Sequence, residues 1–277
     1  MTPKGYYVSE RFEKAITLHI VRNLIPESQN LSVPLILGIH GQTGEGKTFQ
    51  TQLILKKLRV KEFLISGGQL ESHAAGKPAN LVGDVYTKAG EYVRKGKRDS
   101  LAVVLINDID TGVGNWGEMV QYTVNRQTVF GELMHLVDYP RKVRGKDTQR
   151  IPIIITGNDF SKLYKPLIRA GRMVSFQWEA TLNEKFVIVS GIFPELSENE
   201  IKKFVNDFRE QPISFFSHVR VMVFDEMLWE QTKLHGVKKV ISDVGNGLLS
   251  YSPDFEMLVR TGRQIVKSGF FKNHLDS

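Results

Sequence analysis

The chain has 277 residues, of which 41% are hydrophobic and 24% are charged, proportions that are ordinary for a globular protein. It has no cysteine, so disulfides, thiolate metal sites and thiol catalysis are excluded for this sequence. The length predicts roughly two domains, and no apolar run approaches the roughly 18 residues of a membrane-spanning helix. The net charge of +7 permits an anionic partner without identifying one.

A glycine-rich segment between a predicted strand and a predicted helix carries the strongest motif. Apolar patterning predicts a helix over residues 9–25, a buried strand over 33–39 and a helix over 49–58. Between the strand and the second helix lies the pattern G-x-x-x-x-G-K-[ST], in the strand–loop–helix order that the motif requires. Its members are Gly41, Gln42, Thr43, Gly44, Glu45, Gly46, Lys47 and Thr48.

The residue types in this loop suit a phosphate chain. Glycines let backbone N–H groups turn toward a phosphate, and the helix N-terminus behind them adds partial positive charge. Lys47 is expected to reach the β- and γ-phosphates, and the Thr48 hydroxyl is expected to ligate Mg²⁺. We therefore predict binding of ATP with Mg²⁺, the alternative being a glycine-rich turn that only joins a strand to a helix.

Two more strand–helix pairs follow, and the second strand ends in acidic residues. The predicted elements are a strand over 62–66, a loop over 67–78, a helix over 79–95, a strand over 101–110, a loop over 111–119 and a helix over 120–137. The near-continuous apolar run before Asn107, Asp108 and Asp110 is typical of a strand buried in a parallel sheet. Acidic residues at such a strand end can hold Mg²⁺ and polarise water, or can simply begin a loop.

The rest of the chain completes the predicted sheet and then adds a helical domain. Strands over 150–159 and 174–178 bring the sheet to five strands, and Asn158 lies at the end of the first of them as either a water-orienting residue or a turn asparagine. Helices are predicted over 182–191, 197–208, 214–234 and 254–268. The predicted fold is an α/β domain over 33–180 with a five-stranded parallel sheet, preceded by a helix and linker over 1–32 and followed by a smaller helical domain over 181–277. Basic clusters at 94–98 and 141–146 are expected to be helix ends or solvated loops.

Several segments together resemble the Rubisco activases, which are AAA+ ATPases. The segments that carry the resemblance are Val33–Ile39, Gln69–Ser72, Ile106–Asp110, Gln121–Asn125, Pro152–Phe160, Pro166–Met173 and Gly191–Phe193. The likeness extends from about residue 9 to about residue 270. It implies an AAA+ module with a helical lid, and a ring-forming homo-hexamer that uses ATP to release inhibitory sugar phosphates from Rubisco. It implies a location in the cyanobacterial cytosol, with carboxysome association, or in the chloroplast stroma. No membrane partner is expected, since the sequence has no long apolar run.

The resemblance also implies roles for individual residues. Asn158 corresponds to the sensor-1 residue, Arg169 and Arg172 to arginine fingers, and Arg220 to the sensor-2 arginine. Where AAA+ proteins generally have Asp-Glu, this chain has Asn107-Asp108. Either Asp108 polarises the water with Asn107 near the metal, or Asp108 serves Mg²⁺ itself.

Two loops are the candidates for contact with a protein substrate at the axis of a ring. They are 72–77 and 111–119, with His73, Lys77, Trp116 and Glu118 as contact residues and Tyr122 just beyond. The alternative functions are a nucleic-acid-dependent AAA+ ATPase of the loader or helicase type, and a scaffold that binds nucleotide without turnover. A nucleic-acid partner is not expected, because no DNA-binding motif or cluster of base-stacking aromatic residues is visible.

Overall fold

The computed structural model describes residues 7–25, 32–71, 76–96, 99–113, 120–245 and 253–269, with the backbone alone at 112–113, 120–125 and 245. The chain divides into two compact units, the first over Val8–Glu179 and the second beginning at Ala180. Within the described ranges, no helix has both the length and the apolar character needed to cross a bilayer.

The first unit is built on a five-stranded parallel sheet, which confirms the predicted α/β class. The strands are β1 (Ile36–His40), β2 (Lys61–Ser66), β3 (Ala102–Asn107), β6 (Ile153–Gly157) and β7 (Met173–Gln177), in the spatial order β2-β3-β6-β1-β7. All neighbours are parallel. The three central strands are almost fully buried, whereas the edge strands β2 and β7 are partly exposed. The carboxyl ends of β1, β3 and β6 therefore meet at one edge, where α/β proteins bind ligands.

Helices surround this sheet. They are α1 (Glu10–Leu24), α2 (Lys47–Lys57), α3 (Lys77–Lys95), α4 (Ile109–Val113) and α5 (Val120–Asp138). The apolar faces of α3, α4 and α5 pack with one face of the sheet in a continuous core that includes Tyr86, Val104, Leu133 and Ile153. The short helix α4 lies in a segment that was predicted to be the end of a strand and the start of a loop. It has only five residues, too few to give a helical pattern in the sequence.

The second basic cluster forms a β-hairpin rather than a plain loop. Strands β4 (Lys142–Val143) and β5 (Lys146–Asp147) pair antiparallel around Arg144 and Gly145. Both turn residues have positive φ, 48° and 78°, which is the backbone of a type I′ turn. The Arg144 guanidinium donates to the Asp84 carboxylate at 2.9 Å and to the Asn80 carbonyl at 2.9 Å, so it attaches the hairpin to α3.

The second unit is entirely helical in its described part. Its helices are α6 (Leu182–Ile192), α7 (Glu198–Asp207), α8 (Ile213–His235), α9 (Val237–Gly245) and α10 (Phe255–Ser268). Thr181 with Glu184 and Ser197 with Glu200 form capping boxes that fix where α6 and α7 begin. A buried cluster of phenylalanines, with Phe204 at its centre, packs edge to face and forms the core.

Helix α1 is fastened to the sheet by a buried polar network. The His19 Nε2–H donates to the Ile153 carbonyl at 3.0 Å. The Asn23 amide donates to the Pro34 carbonyl at 3.1 Å and accepts from the Arg150 Nε–H at 2.9 Å. These contacts satisfy polar groups that burial would otherwise penalise, so they position α1 against the amino-terminal ends of β1 and β6.

This network makes stability depend on pH. Burial lowers the pKa of His19 to about 4, so the folded chain keeps the ring neutral where the unfolded chain binds a proton. Stability is therefore expected to fall as the pH drops from 6.5 toward 4, by about 2 kcal/mol at pH 5. Urea unfolding at pH 7.5 and pH 5 would measure this loss, and His19→Gln should show a smaller difference between the two. An equal pH dependence in both proteins would assign the loss to other groups.

Candidate functional site

The glycine-rich loop places Lys47 at the centre of the strand ends. The Lys47 Nζ donates to the Gly41 and Gln42 carbonyls, each at 2.8 Å, and to the Asn158 Oδ1 at 2.9 Å. Only 6% of the residue is exposed, and burial lowers the pKa of its amine, while Asp108, Asp110 and Glu45 oppose that shift. The loop therefore holds a cation that already contacts the residue at the end of β6.

Backbone conformation explains the glycines at two positions. Gly41 has φ 151°, and a Cβ there would lie 2.0 Å from the Trp178 carbonyl oxygen. Gly46 precedes α2 with φ 74°, and a Cβ there would meet no atom within 4 Å. Position 41 thus requires glycine because any side chain would clash with the Trp178 carbonyl, whereas position 46 favours glycine because its backbone conformation is left-handed. The open space at Gly46 and the partial positive charge at the start of α2 fit a phosphate group.

The two carboxylates after β3 have different surroundings. Asp108 has φ 50°, a left-handed conformation that aspartate and asparagine tolerate better than most residues. Partial burial and the nearby Asp110 charge raise the pKa of Asp108, against the effect of Lys47. Asp110 is only 1% exposed, and its Oδ2 accepts the backbone N–H groups of Asn158 at 2.8 Å and Asp159 at 2.9 Å. Asp110 therefore fixes the backbone at the end of β6, while Asp108 is the more accessible acid.

Thr156, which sequence reasoning missed, joins the three strand ends. Its hydroxyl donates to the Asn107 Oδ1 at 3.3 Å and accepts the Asp108 backbone N–H at 3.1 Å. It also lies 3.5 Å from the Thr48 hydroxyl. The residue is fully buried inside an apolar strand, and only the register of β6 against β3 and β1 reveals its position.

Mg²⁺ is the metal that the phosphate-loop motif predicts, with Thr48 as its ligand. Within the ranges that the structure describes, no group of three or more His, Asp or Glu side chains could hold a metal. Mg²⁺ typically takes only one or two protein carboxylates and completes its shell with water and phosphate oxygens. The Thr48 hydroxyl is the predicted Mg²⁺ ligand from the loop, and the strand end offers either Asn107 or Asp108 as the second.

The back of the loop rests on Trp178, a second residue that the sequence did not single out. The indole Nε1–H donates to the Glu45 carbonyl at 2.7 Å, and the Trp178 backbone N–H donates to the His40 carbonyl at 2.7 Å. The ring is fully buried and packs edge to face on Phe12 of α1, with centroids 5.0 Å apart. Trp178 therefore links α1, the end of β1 and the phosphate loop.

The three arginines assigned by resemblance lie in different surroundings. Arg169 is exposed, and Arg172 is half-buried against α5. Arg220 belongs to the second unit, where it pairs with the Glu195 carboxylate at 2.7 Å, donates to the Ile192 carbonyl and lies over the Phe193 ring. The structure thus holds Arg172 and Arg220 by contacts within their own units.

The candidate contact residues of the two loops are mostly outside the described part of the chain. His73, Trp116 and Glu118 lie in ranges that the structure does not describe, and Tyr122 lies in the part of α5 with backbone only. Lys77 was assigned to a loop but is the first residue of α3 and is exposed. Pro78 follows it within the first turn of the helix, a position that proline favours.

Two family models together match most of the chain. The AAA family model, described as ATPases associated with various cellular activities, matches residues 37–179. The model of the helical AAA domain of ribulose bisphosphate carboxylase/oxygenase activase matches residues 182–270.

Curated relatives cover most of the chain. A ribulose bisphosphate carboxylase/oxygenase activase of Anabaena sp. is 44% identical over 88% of this chain and 60% of its own length. Those of Nostoc sp. and Chlamydomonas reinhardtii are 41% and 38% identical, each over 95% of this chain and 66% of their own length. The chain thus spans 60 to 66% of the length of these relatives. It belongs to the AAA family of ATPases, and its second unit belongs to the helical AAA domains of the Rubisco activases.

Proposed function

We propose that this chain couples ATP hydrolysis to the remodelling of Rubisco, so that inhibitory sugar phosphates leave the Rubisco active sites. The observation that carries the proposal is the cluster of Lys47, Asp108 and Asn158 at the ends of three neighbouring strands, in a chain with a Rubisco-activase helical domain. Binding of ATP needs a cation such as Lys47 near the phosphates. Hydrolysis needs in addition an accessible acid and a polar side chain beside it, which Asp108 and Asn158 provide.

The residues divide the chemistry among them. Backbone N–H groups of the loop and the Lys47 amine bind the triphosphate, and bound Mg²⁺ would offset charge on the β- and γ-phosphate oxygens. Asp108 is proposed to accept a hydrogen bond from the attacking water and orient it. Asn158, held by Lys47 and by the Asp110 contact to its backbone, is proposed to position that water against the γ-phosphate.

Assembly completes the proposed site. Arg169 and Arg172 are proposed to reach the ATP of an adjacent copy in a homo-hexameric ring, and Arg220 is proposed as the sensor-2 arginine of the helical unit. A guanidinium offers several donors to phosphate oxygens as charge moves during phosphoryl transfer. The relatives come from cyanobacteria and a chloroplast, which supports a cytosolic or stromal location.

One pair of assays tests the proposal against nucleic-acid-dependent turnover. ATP hydrolysis and Rubisco carboxylation would be measured with inhibitor-bound Rubisco, and hydrolysis would be measured separately with single-stranded DNA. We expect ATP-dependent recovery of carboxylation and no stimulation by DNA. Stimulation by DNA with no recovery of Rubisco would favour the loader or helicase class instead.

The substrate loops should affect remodelling more than hydrolysis. Trp116→Ala is expected to weaken Rubisco reactivation severalfold and to leave basal ATP hydrolysis within about twofold, because the proposed hydrolytic residues lie elsewhere. The ratio of the two activities is the measurement, with Trp229→Ala in the helical unit as a matched tryptophan control. A parallel fall of both activities would assign the 111–119 loop to the ATP site or to ring assembly.

A further inference from the structure

Arg172 is held by three groups from two separate segments of the first unit. Its Nη1 contacts the Met134 Sδ at 3.3 Å and donates to the Pro166 carbonyl at 3.1 Å. Its Nη2 lies 3.3 Å from the Asp138 Oδ2. Met134 and Asp138 are one turn apart on α5, so both approach the guanidinium from the same helix face.

Arg169 has no comparable support. It is exposed, and no described residue makes a side-chain contact with it that would fix its guanidinium. An arginine side chain without such contacts loses more rotamer freedom when it binds a phosphate than one that is already held. Of the two arginines assigned as fingers, Arg172 is the one whose guanidinium is held by contacts among the described residues.

The contacts leave Arg172 reachable. Its side chain is 30% exposed, and the contacts to Met134, Pro166 and Asp138 use hydrogens on Nη1 and Nη2 only. A guanidinium has five N–H donors, so part of the fork remains for phosphate oxygens. Met134 and Pro166 also line an open cleft of about 830 Å³, which places the arginine beside an accessible surface.

We propose that Asp138 is a positioning residue for Arg172. Together with Met134 and the Pro166 carbonyl, its carboxylate fixes the guanidinium in the orientation in which it meets ATP on an adjacent copy. The proposal rests on the proposed function, because it needs Arg172 to act on a neighbour's nucleotide. Asp138 itself touches no reacting atom, so its effect must pass entirely through Arg172.

A double-mutant cycle in ATP hydrolysis tests this dependence. Asp138→Asn, Arg172→Ala and the double variant would be assayed at protein concentrations where activity per subunit has stopped rising. Asp138→Asn is expected to lower kcat about threefold to tenfold with KM for ATP within about twofold, because the phosphate loop is untouched. In the Arg172→Ala background, the same substitution is expected to change nothing further. Asp138→Glu, which keeps the charge, should recover part of the activity.

Asp84→Asn is the matched control. It removes the carboxylate of a similarly exposed arginine pair, Arg144–Asp84, on the hairpin side of α3. We expect it to leave kcat unchanged, and a melting curve for each variant would check folding, since exposed ion pairs contribute little to stability.

Two results would overturn the positioning role, and each has a distinct meaning. If Asp138→Asn left kcat unchanged or raised it, or lowered it equally with and without Arg172, Asp138 would not act through the arginine. If Arg172→Ala itself kept the parent kcat, the proposed finger role would fail as well. Rubisco reactivation by the parent protein, measured in parallel, shows whether the proposed function holds independently of either residue.

Discussion

Lys47→Ala is expected to lower ATP affinity by about a hundredfold or more. The Lys47 amine donates hydrogen bonds both to two loop carbonyls and to the Asn158 side chain. Its removal takes away the charge that faces the triphosphate and leaves those acceptors without their donor. Titration of a fluorescent ATP analogue would measure the change in dissociation constant.

Lys56→Ala is the control for this substitution. Lys56 is exposed near the end of the same helix. Its replacement changes the net charge by the same amount as Lys47→Ala but removes no contact with the loop. We expect parent-like affinity for Lys56→Ala. If Lys47→Ala also bound ATP as tightly as the parent, the assignment of residues 41–48 to phosphate binding would be wrong.

Asp108→Asn is expected to keep ATP binding and lower kcat by about a hundredfold or more. Asparagine has nearly the same shape and tolerates the φ of 50° at this position, so the backbone should remain in place. What is lost is the negative charge that we propose to accept a hydrogen bond from the attacking water. In this variant the dissociation constant for ATP should stay close to that of the parent, while the rate of single-turnover hydrolysis should fall.

Two companion variants sharpen the assignment of the acid. Asp99→Asn, at an exposed position before β3, removes the same charge away from the strand ends and should behave like the parent. Asn107→Asp tests whether a side chain at position 107 can bind Mg²⁺. If it can, this variant should need a lower Mg²⁺ concentration for hydrolysis than the parent. Normal hydrolysis by Asp108→Asn would move the water-polarising role to another group.

Much of the fold was predictable because its signals are local. The buried strands ending at His40, Asn107 and Gly157 are runs of apolar residues that only a two-sided core accommodates. The hairpin around Arg144 was not predictable in the same way. Its type I′ turn uses Arg-Gly where Asn-Gly or Asp-Gly is the usual signal, and the contact to Asp84 that holds it joins residues far apart in sequence.

The site shows the same limit. Lys47 and Asp108 belong to local motifs, so their neighbourhood was inferred before the geometry was known. Thr156 and Trp178 looked like ordinary strand residues, because their contacts arise only when strands far apart in sequence pair side by side. Helix α9 was missed for a different reason. The predicted helix ended at residue 234, close to the end of α8, but a new helix beginning directly after Gly236, which has φ 77°, was not recognised.

The buried indole behind the phosphate loop also gives the protein an internal optical reporter. Trp178 is one of three tryptophans, and its Nε1–H bonds directly to a loop carbonyl. Its emission should therefore respond when nucleotide changes the polarity and hydrogen bonding of the loop. Replacing Trp116 and Trp229 with phenylalanine would leave Trp178 as the sole emitter. Nucleotide arrival at the loop could then be followed in real time with unlabelled ATP.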